Sequence, residues 1–123
     1  RTIREHTAPR IRDAAAAAGG PAPRIVVGLP VAITKDPAAA RRAAAQQFAI
    51  YGTLPSYRAM LDREGAEGPG DVVIAGDEAT VGAELGRLAE AGATDFLWAP
   101  CPVEGDGDAI PRTRAFLAKL ARR

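Results

Sequence analysis

The stretch RIVVGLPVAI, residues 24–33, decides the fold class, because nearly all of its side chains are apolar and several are β-branched. Such a run is typical of a β-strand that is covered on both faces of its sheet. A second run, TDFLWA at residues 94–99, predicts another strand. Gly28 and Pro30 predict a bend or bulge in the first strand, since neither suits the interior of a regular one.

Helices are predicted before, between and after the two strands. Apolar spacing and helix breakers place them at residues 2–18, in a helical excursion over residues 36–65, at residues 77–91 and at residues 109–121. Asp36 and Asp77 are the expected N-caps of two of these helices. Thr2 and Glu5 have the spacing of a capping box, and Pro9 predicts a kink or a later start in the first helix.

The order helix, strand, helices, strand, helix indicates parallel βαβ units, because parallel strands are joined through helices. Residues 71–75, DVVIA, predict a short extended segment whose pairing the pattern leaves open. Two or three parallel strands need more neighbours to form a self-sufficient sheet. The sequence begins at Arg1, and its only methionine is Met60. We therefore expect a processed chain or a piece of a larger α/β domain.

Composition excludes several classes of protein. The chain has 123 residues, which suffices for one domain, and a net charge of +1, which predicts no attraction to nucleic acid or membranes. One cysteine excludes an internal disulfide or a multi-cysteine zinc module. No apolar run approaches the roughly 20 residues that span a bilayer, and no signal-peptide pattern is present, so we expect a cytoplasmic protein.

The run GDEATV at residues 76–81, followed by AGATDF at residues 91–96, resembles the last βα units of the bacterial luciferase-like flavin and deazaflavin oxidoreductases. Residues 31–63, with their AIYG and LPSY motifs, look like the branch of that superfamily that depends on the deazaflavin coenzyme F420. The resemblance extends over residues 2–121. It implies a TIM (β/α)8 barrel, of which residues 1–123 form the C-terminal part within a single domain.

In such a barrel, residues 25–31 correspond to the seventh strand and residues 94–99 to the eighth. The first six strands and the catalytic residues then lie upstream of Arg1, so we expect the isolated chain to be inactive. The resemblance implies hydride transfer between reduced F420, or alternatively FMN, and a small organic substrate. It implies no metal, and it implies a homo-oligomer of the full-length protein.

Tyr51, Tyr57 and Arg58 are the candidate pocket residues. They lie in the excursion after the first strand, where a TIM barrel builds its binding site. Two phenols and a guanidinium suit a planar cofactor or an anionic substrate. The competing interpretation is that these side chains pack the excursion helices against the rest of the protein or a partner subunit.

Four other features favour structural interpretations. His6 has no metal-ligand neighbours at suitable spacing, and Cys101 has no nearby base, so we expect a surface or packing histidine and an ordinary thiol. The acidic, glycine-containing residues 104–108 lack the glutamate of a calcium loop, which favours a solvated loop. Asp77 is expected to cap its helix, although a phosphate could bind at the same N-terminus.

A non-catalytic α/β interaction module is the alternative function. It requires residues 71–75 to pair as a third strand and the exposed sheet edges to bind a partner chain.

Overall fold

The computed structural model describes residues 1–122 and contains a mixed α/β fold. Its regular helices and strands are α1 (Ala8–Ala17), β1 (Val26–Ile33), α2 (Pro37–Gln47), α3 (Pro55–Glu64), β2 (Ile74–Gly76), α4 (Glu78–Glu90), β3 (Asp95–Pro100) and α5 (Ala109–Leu120). A π-helical segment, Ile3–Thr7, precedes α1, and 3-10 helices at Ala49–Thr53 and Pro69–Val72 flank α3. The predicted strands and helices are thus present, with ends that shift by one or two residues.

The three strands form one open parallel sheet in the order β2-β1-β3. The pairing of β1 with β3 runs from Val26 opposite Asp95 to Val31 opposite Pro100 without interruption. The alternative of a bulge at Gly28 and Pro30 is therefore wrong, because the register continues through both residues. Residues 71–75 do contribute a strand, since Ile74 pairs with Val31.

Helices cover both faces of the carboxyl half of the sheet. On one face, small side chains of α2 pack against the strands and the segment after β3: Ala39, Ala40 and Ala44 with Ala32, Ala75, Cys101 and Val103. On the other face, α4 and α5 supply larger side chains: Val81, Leu85, Leu88, Phe116, Leu117 and Leu120 around Val31, Ile33 and Ile74. A buried parallel sheet requires this two-sided cover.

The amino half of the sheet is open on the α2 side. Val26 is 59% exposed and Leu97, on the neighbouring strand, is 65% exposed. Gly28 lies opposite Leu97 in the register. The sheet therefore carries an uncovered apolar patch of Val26, Gly28 and Leu97.

The predicted capping box at the first helix is wrong. Thr2 has helical backbone angles and makes no side-chain cap, and its N–H donates instead to Glu64 Oε1 at 2.6 Å. Glu5 pairs with Arg1 at 3.4 Å. Pro9 shifts the start of regular helix as predicted, because a residue without an N–H is tolerated in the first turn, and α1 begins at Ala8.

The predicted N-caps Asp36 and Asp77 are confirmed. Asp36 Oδ1 accepts from the N–H of Ala39 at 2.9 Å, and Asp77 Oδ1 accepts from the N–H of Thr80 at 2.7 Å. These bonds satisfy amides that have no partner within the helix. Gly65 ends α3 with a φ of 71°, a backbone conformation that glycine adopts without strain.

Candidate functional site

The carboxyl ends of β1 and β2 open into a cavity of about 790 Å3. Both strands end at the same edge because they run parallel, and α2 and α4 begin there. Ligands of open α/β sheets bind outside this edge. The lining residues are Ile33, Thr34, Lys35, Asp36, Asp77, Glu78, Glu104, Gly105, Asp106 and Arg112. We take this cavity as the candidate functional site.

A three-residue clamp fixes one wall of the cavity. Arg112 donates from Nη1 to Asp106 Oδ2 and from Nη2 to Asp106 Oδ1, both at 2.9 Å. Its Nη1 also donates to the main-chain oxygen of Ile33 at 2.9 Å. The Thr34 hydroxyl donates to Asp106 Oδ2 at 3.0 Å. The clamp joins the end of β1, the loop of residues 104–108 and the first turns of α5.

The electrostatics of the clamp hold its carboxylate in the charged form. The hydrogen bonds from the Arg112 guanidinium lower the pKa of Asp106 below its usual range, although partial burial opposes the shift. Asp106 is therefore ionised at neutral pH and accepts hydrogen bonds. It is a loop anchor rather than a proton donor.

The two helix N-termini at the cavity hold their own carboxylates. The N–H of Thr80 bonds to Asp77 and lowers the pKa of that side chain. Asp36 occupies the corresponding position on α2. A phosphate at either helix N-terminus would need the same first-turn N–H groups, and the two carboxylates would repel it. The prediction that Asp77 caps its helix is confirmed by its bond to Thr80.

The cavity is acidic overall. Five carboxylates line it, against the two cations Lys35 and Arg112, and Arg112 is already paired. Such a lining suits hydrogen-bond donors or cationic groups better than anions. Within residues 1–122 there is no group of three or more His, Cys, Asp or Glu side chains that could hold a metal ion.

The candidate residues Tyr51, Tyr57 and Arg58 lie outside this cavity, on the 3-10 helix Ala49–Thr53 and on α3. The two phenol rings contact one another, with centroids 4.6 Å apart, and are 37% and 43% exposed. Their exposure leaves them accessible to a ligand or a partner.

The guanidinium of Arg58 is engaged within the chain. It donates to Asp62 Oδ1 at 2.8 Å, to the Glu67 oxygen at 2.9 Å and to the Ala66 oxygen at 2.7 Å. These bonds hold the loop that follows α3. Arg58 therefore has a structural role here, and its spacing of four from Asp62 was visible in the sequence as a helical ion pair.

His6 and Cys101 have the surroundings that the sequence predicted. Burial, with contributions from Arg10 and Arg63, lowers the pKa of the His6 imidazole. Cys101 is 1% exposed, and burial raises the pKa of its thiol. A protonated, enclosed thiol is a poor nucleophile, so Cys101 acts as a small core residue.

Sequence reasoning missed the role of Thr34 and Arg112. Thr34 follows the first strand directly, and a polar residue at a strand's carboxyl end is a signal for a site. Arg112 carried no local signal, because its partners Asp106 and Ile33 are defined by tertiary packing.

No family model matches the chain, and neither a curated protein nor a solved structure is significantly similar to it. Within the described residues, no helix is long and apolar enough to cross a membrane.

Proposed function

We propose that this chain is part of a luciferase-like oxidoreductase that transfers hydride between reduced coenzyme F420, or alternatively FMN, and a small organic substrate. The observation that carries the proposal is the parallel pairing of β1 with β3 over six residues. The luciferase-like resemblance implies this neighbour relationship for the seventh and eighth strands of a barrel. The resembling run at residues 76–81 also coincides with the end of β2 and the start of α4.

A barrel is the finer fold that we propose, and two open parts of the sheet leave room for further strands. On the described chain, the outer edge of β3 has no strand partner. Val26 and Leu97 are exposed on the face opposite α4 and α5. In a TIM barrel the outer face packs against helices and the inner face packs against side chains of other strands. Further strands would pair with the free edge of β3 and cover Val26 and Leu97.

The barrel has two structural requirements, which make it testable. All helices of a TIM barrel lie outside the strands, whereas here α2 packs on the face opposite α4 and α5. In addition, β2 pairs with the edge of β1 to which the sixth strand of a barrel would pair. In the complete enzyme α2 must therefore leave this face, and β2 must leave this edge. The contact of Cys101 with the Ala40 oxygen, 3.7 Å here, would be lost.

The activity test compares this chain with the longest natural polypeptide that contains it. We expect the long form to bind F420 or FMN, measured by fluorescence titration, and to consume the reduced coenzyme when substrate candidates are added. We expect the isolated chain to do neither. A long form that binds neither coenzyme, or a native polypeptide no longer than this chain, would overturn the proposal.

Substitutions in the long form test the pocket candidates. Tyr57→Phe is expected to raise the Michaelis constant for coenzyme or substrate if the exposed phenol contacts either. Arg58→Ala is the matched structural control, because each of its three guanidinium nitrogens donates a hydrogen bond within the chain. It should lower the melting temperature and leave the Michaelis constants unchanged.

A non-catalytic interaction module is a second candidate, favoured by the pairing of β2. Ile74–Gly76 pair in register with Val31–Ile33, and the Thr34 N–H donates to the Gly76 oxygen at 2.9 Å. The interaction module requires a third strand from residues 71–75, and β2 supplies it. Amide exchange in the 123-residue chain tests it: strong protection around Ile74 and Ala75 favours the module, and unprotected amides there eliminate it.

A further inference from the structure

The edge of β1 that faces away from β3 is only partly paired. β2 covers it at Val31–Ile33. At residues 26–30, no strand of the described chain pairs with that edge. Unpaired strand edges are templates for the addition of another strand.

The direction of the main-chain groups follows from two hydrogen bonds. The Ile25 oxygen accepts from the Thr94 N–H at 2.9 Å, on the β3 side, and the Thr34 N–H donates to the Gly76 oxygen at 2.9 Å, on the β2 side. Successive residues of a strand between two parallel neighbours bond to alternate sides. Even-numbered residues of β1 therefore point away from β3, so the N–H and C=O groups of Val26 and Gly28 face the unpaired edge.

A groove of about 970 Å3 runs along this edge. β1 lines it with residues 26–29, and the segment before and within β2 lines it with residues 72–75. The lining also includes Glu64 and Thr2, which is 6% exposed. Thr2 Oγ1 is buried and has no hydrogen-bond partner within residues 1–122.

Gly28 leaves the edge open to close approach. It has no side chain, and the atoms nearest to a Cβ at this position would be those of Leu97, at 3.8 Å, on the neighbouring strand. Glycine inside a strand often marks a place where another backbone approaches closely. The ligand that matches alternating N–H and C=O groups at strand spacing is an extended polypeptide.

We propose that the groove beside Val26–Leu29 binds an extended peptide segment of a partner chain, which adds to β1 as a strand. The inference rests on the interaction-module candidate and competes with the oxidoreductase, in which an upstream strand of the same polypeptide would pair with this edge of β1. The main chain of the peptide bonds to Val26 and Gly28. Its side chains contact the other residues that line the groove.

The probe is a set of blocked heptapeptides with threonine at alternate positions and Val, Leu, Phe, Lys or Glu at the others. A control set carries N-methyl groups on every internal amide, which removes the donors. We expect at least one unmethylated member to bind the 123-residue chain and to slow amide exchange at Val26 and Gly28 by about tenfold or more. The methylated counterpart should not bind.

Val26→Pro is the blocking variant. It removes an N–H that points into the groove, and proline is tolerated at the first residue of a strand. Val26→Thr is the matched control, because it keeps the N–H and the branched side chain. The proline variant should weaken binding by about tenfold, since at least one hydrogen bond and close contact are lost, and the threonine variant should bind as the parent does.

The outcomes separate the proposal from the function on which it rests. If methylated peptides bind equally well, or if no peptide slows amide exchange at Val26 and Gly28, the proposal that the groove binds a peptide strand is wrong. Binding that survives Val26→Pro in a folded variant places the peptide elsewhere, such as the edge of β3, and leaves the module intact. Unprotected amides at Ile74 and Ala75 in the parent chain overturn the module itself.

Discussion

Arg112 and Asp106 form a two-pronged ion pair, with both nitrogen–oxygen distances at 2.9 Å. The same guanidinium donates to the main-chain oxygen of Ile33, the last residue of β1. One side chain of α5 thus fixes both the strand end and the loop that border the candidate cavity. The shape of the cavity depends on this pair.

Arg112→Ala should lower the melting temperature, because it leaves the Asp106 carboxylate and the Ile33 oxygen without their donor. Lys119→Ala is the matched control, since it removes the same charge from an exposed position of α5. Circular dichroism melts of both variants check the prediction. Equal melting temperatures for the two would show that loss of charge alone accounts for the effect.

Acid should destabilise the chain through Asp95. Hydrogen bonds from the Arg24 guanidinium, then from Thr94, lower the pKa of Asp95 to about 2. The unfolded chain has the ordinary aspartate pKa of about 3.9 and so binds the proton first as the pH falls. The stabilisation is complete above about pH 4 and is lost as the pH falls toward 2.

Urea midpoints measured between about pH 6 and pH 2 test this dependence. Asp95→Asn should reduce the midpoint near neutral pH and flatten its acid dependence. Asp106, whose pKa is also lowered by its partner Arg112, contributes in the same direction and remains in that variant. An unchanged acid dependence in Asp95→Asn would contradict the role of Asp95.

Thr113→Val should destabilise the fold by about 1–3 kcal/mol, the cost of an unsatisfied buried donor. The fully buried Thr113 hydroxyl accepts from the Ile33 N–H at 2.8 Å and donates to the Ala109 oxygen at 2.6 Å. Thr113→Ser keeps both bonds and should cost only about 0.8 kcal/mol, the loss of one buried methyl group. Urea denaturation separates the two, and a valine variant as stable as the serine one would refute the prediction.

Gly76→Ala and Gly86→Ala should have opposite effects. Gly76 has a φ of +152°, and a Cβ there would lie 3.2 Å from the Thr80 side chain, so alanine should cost about 1–3 kcal/mol. Gly86 lies within α4, and a Cβ added there would meet no atom within 4 Å, so alanine should stabilise by about 0.4–1 kcal/mol. Denaturation free energies of both variants check the signs.

Local signals predicted most of the helices and strands. Asp36 and Asp77 each accept a bond from an amide three residues later, and a cap of this kind needs only neighbouring residues. The first capping box failed because Glu64, 62 residues away from Thr2, takes the Thr2 N–H. Glu64 replaced Glu5 as the acceptor for the Thr2 N–H, and the residues around Thr2 carry no pattern that predicts this long-range partner.

The α/β class and the parallel direction of the strands could be predicted from residue patterns, because periodicity and helix breakers act within a few residues. The position of β1 between β2 and β3, and the meeting of Thr34, Asp106 and Arg112 at one cavity, became known from the folded chain. The order of strands and the meeting of distant side chains depend on how the helices cover the sheet. That cover is set by packing across the whole chain, which local patterns do not encode.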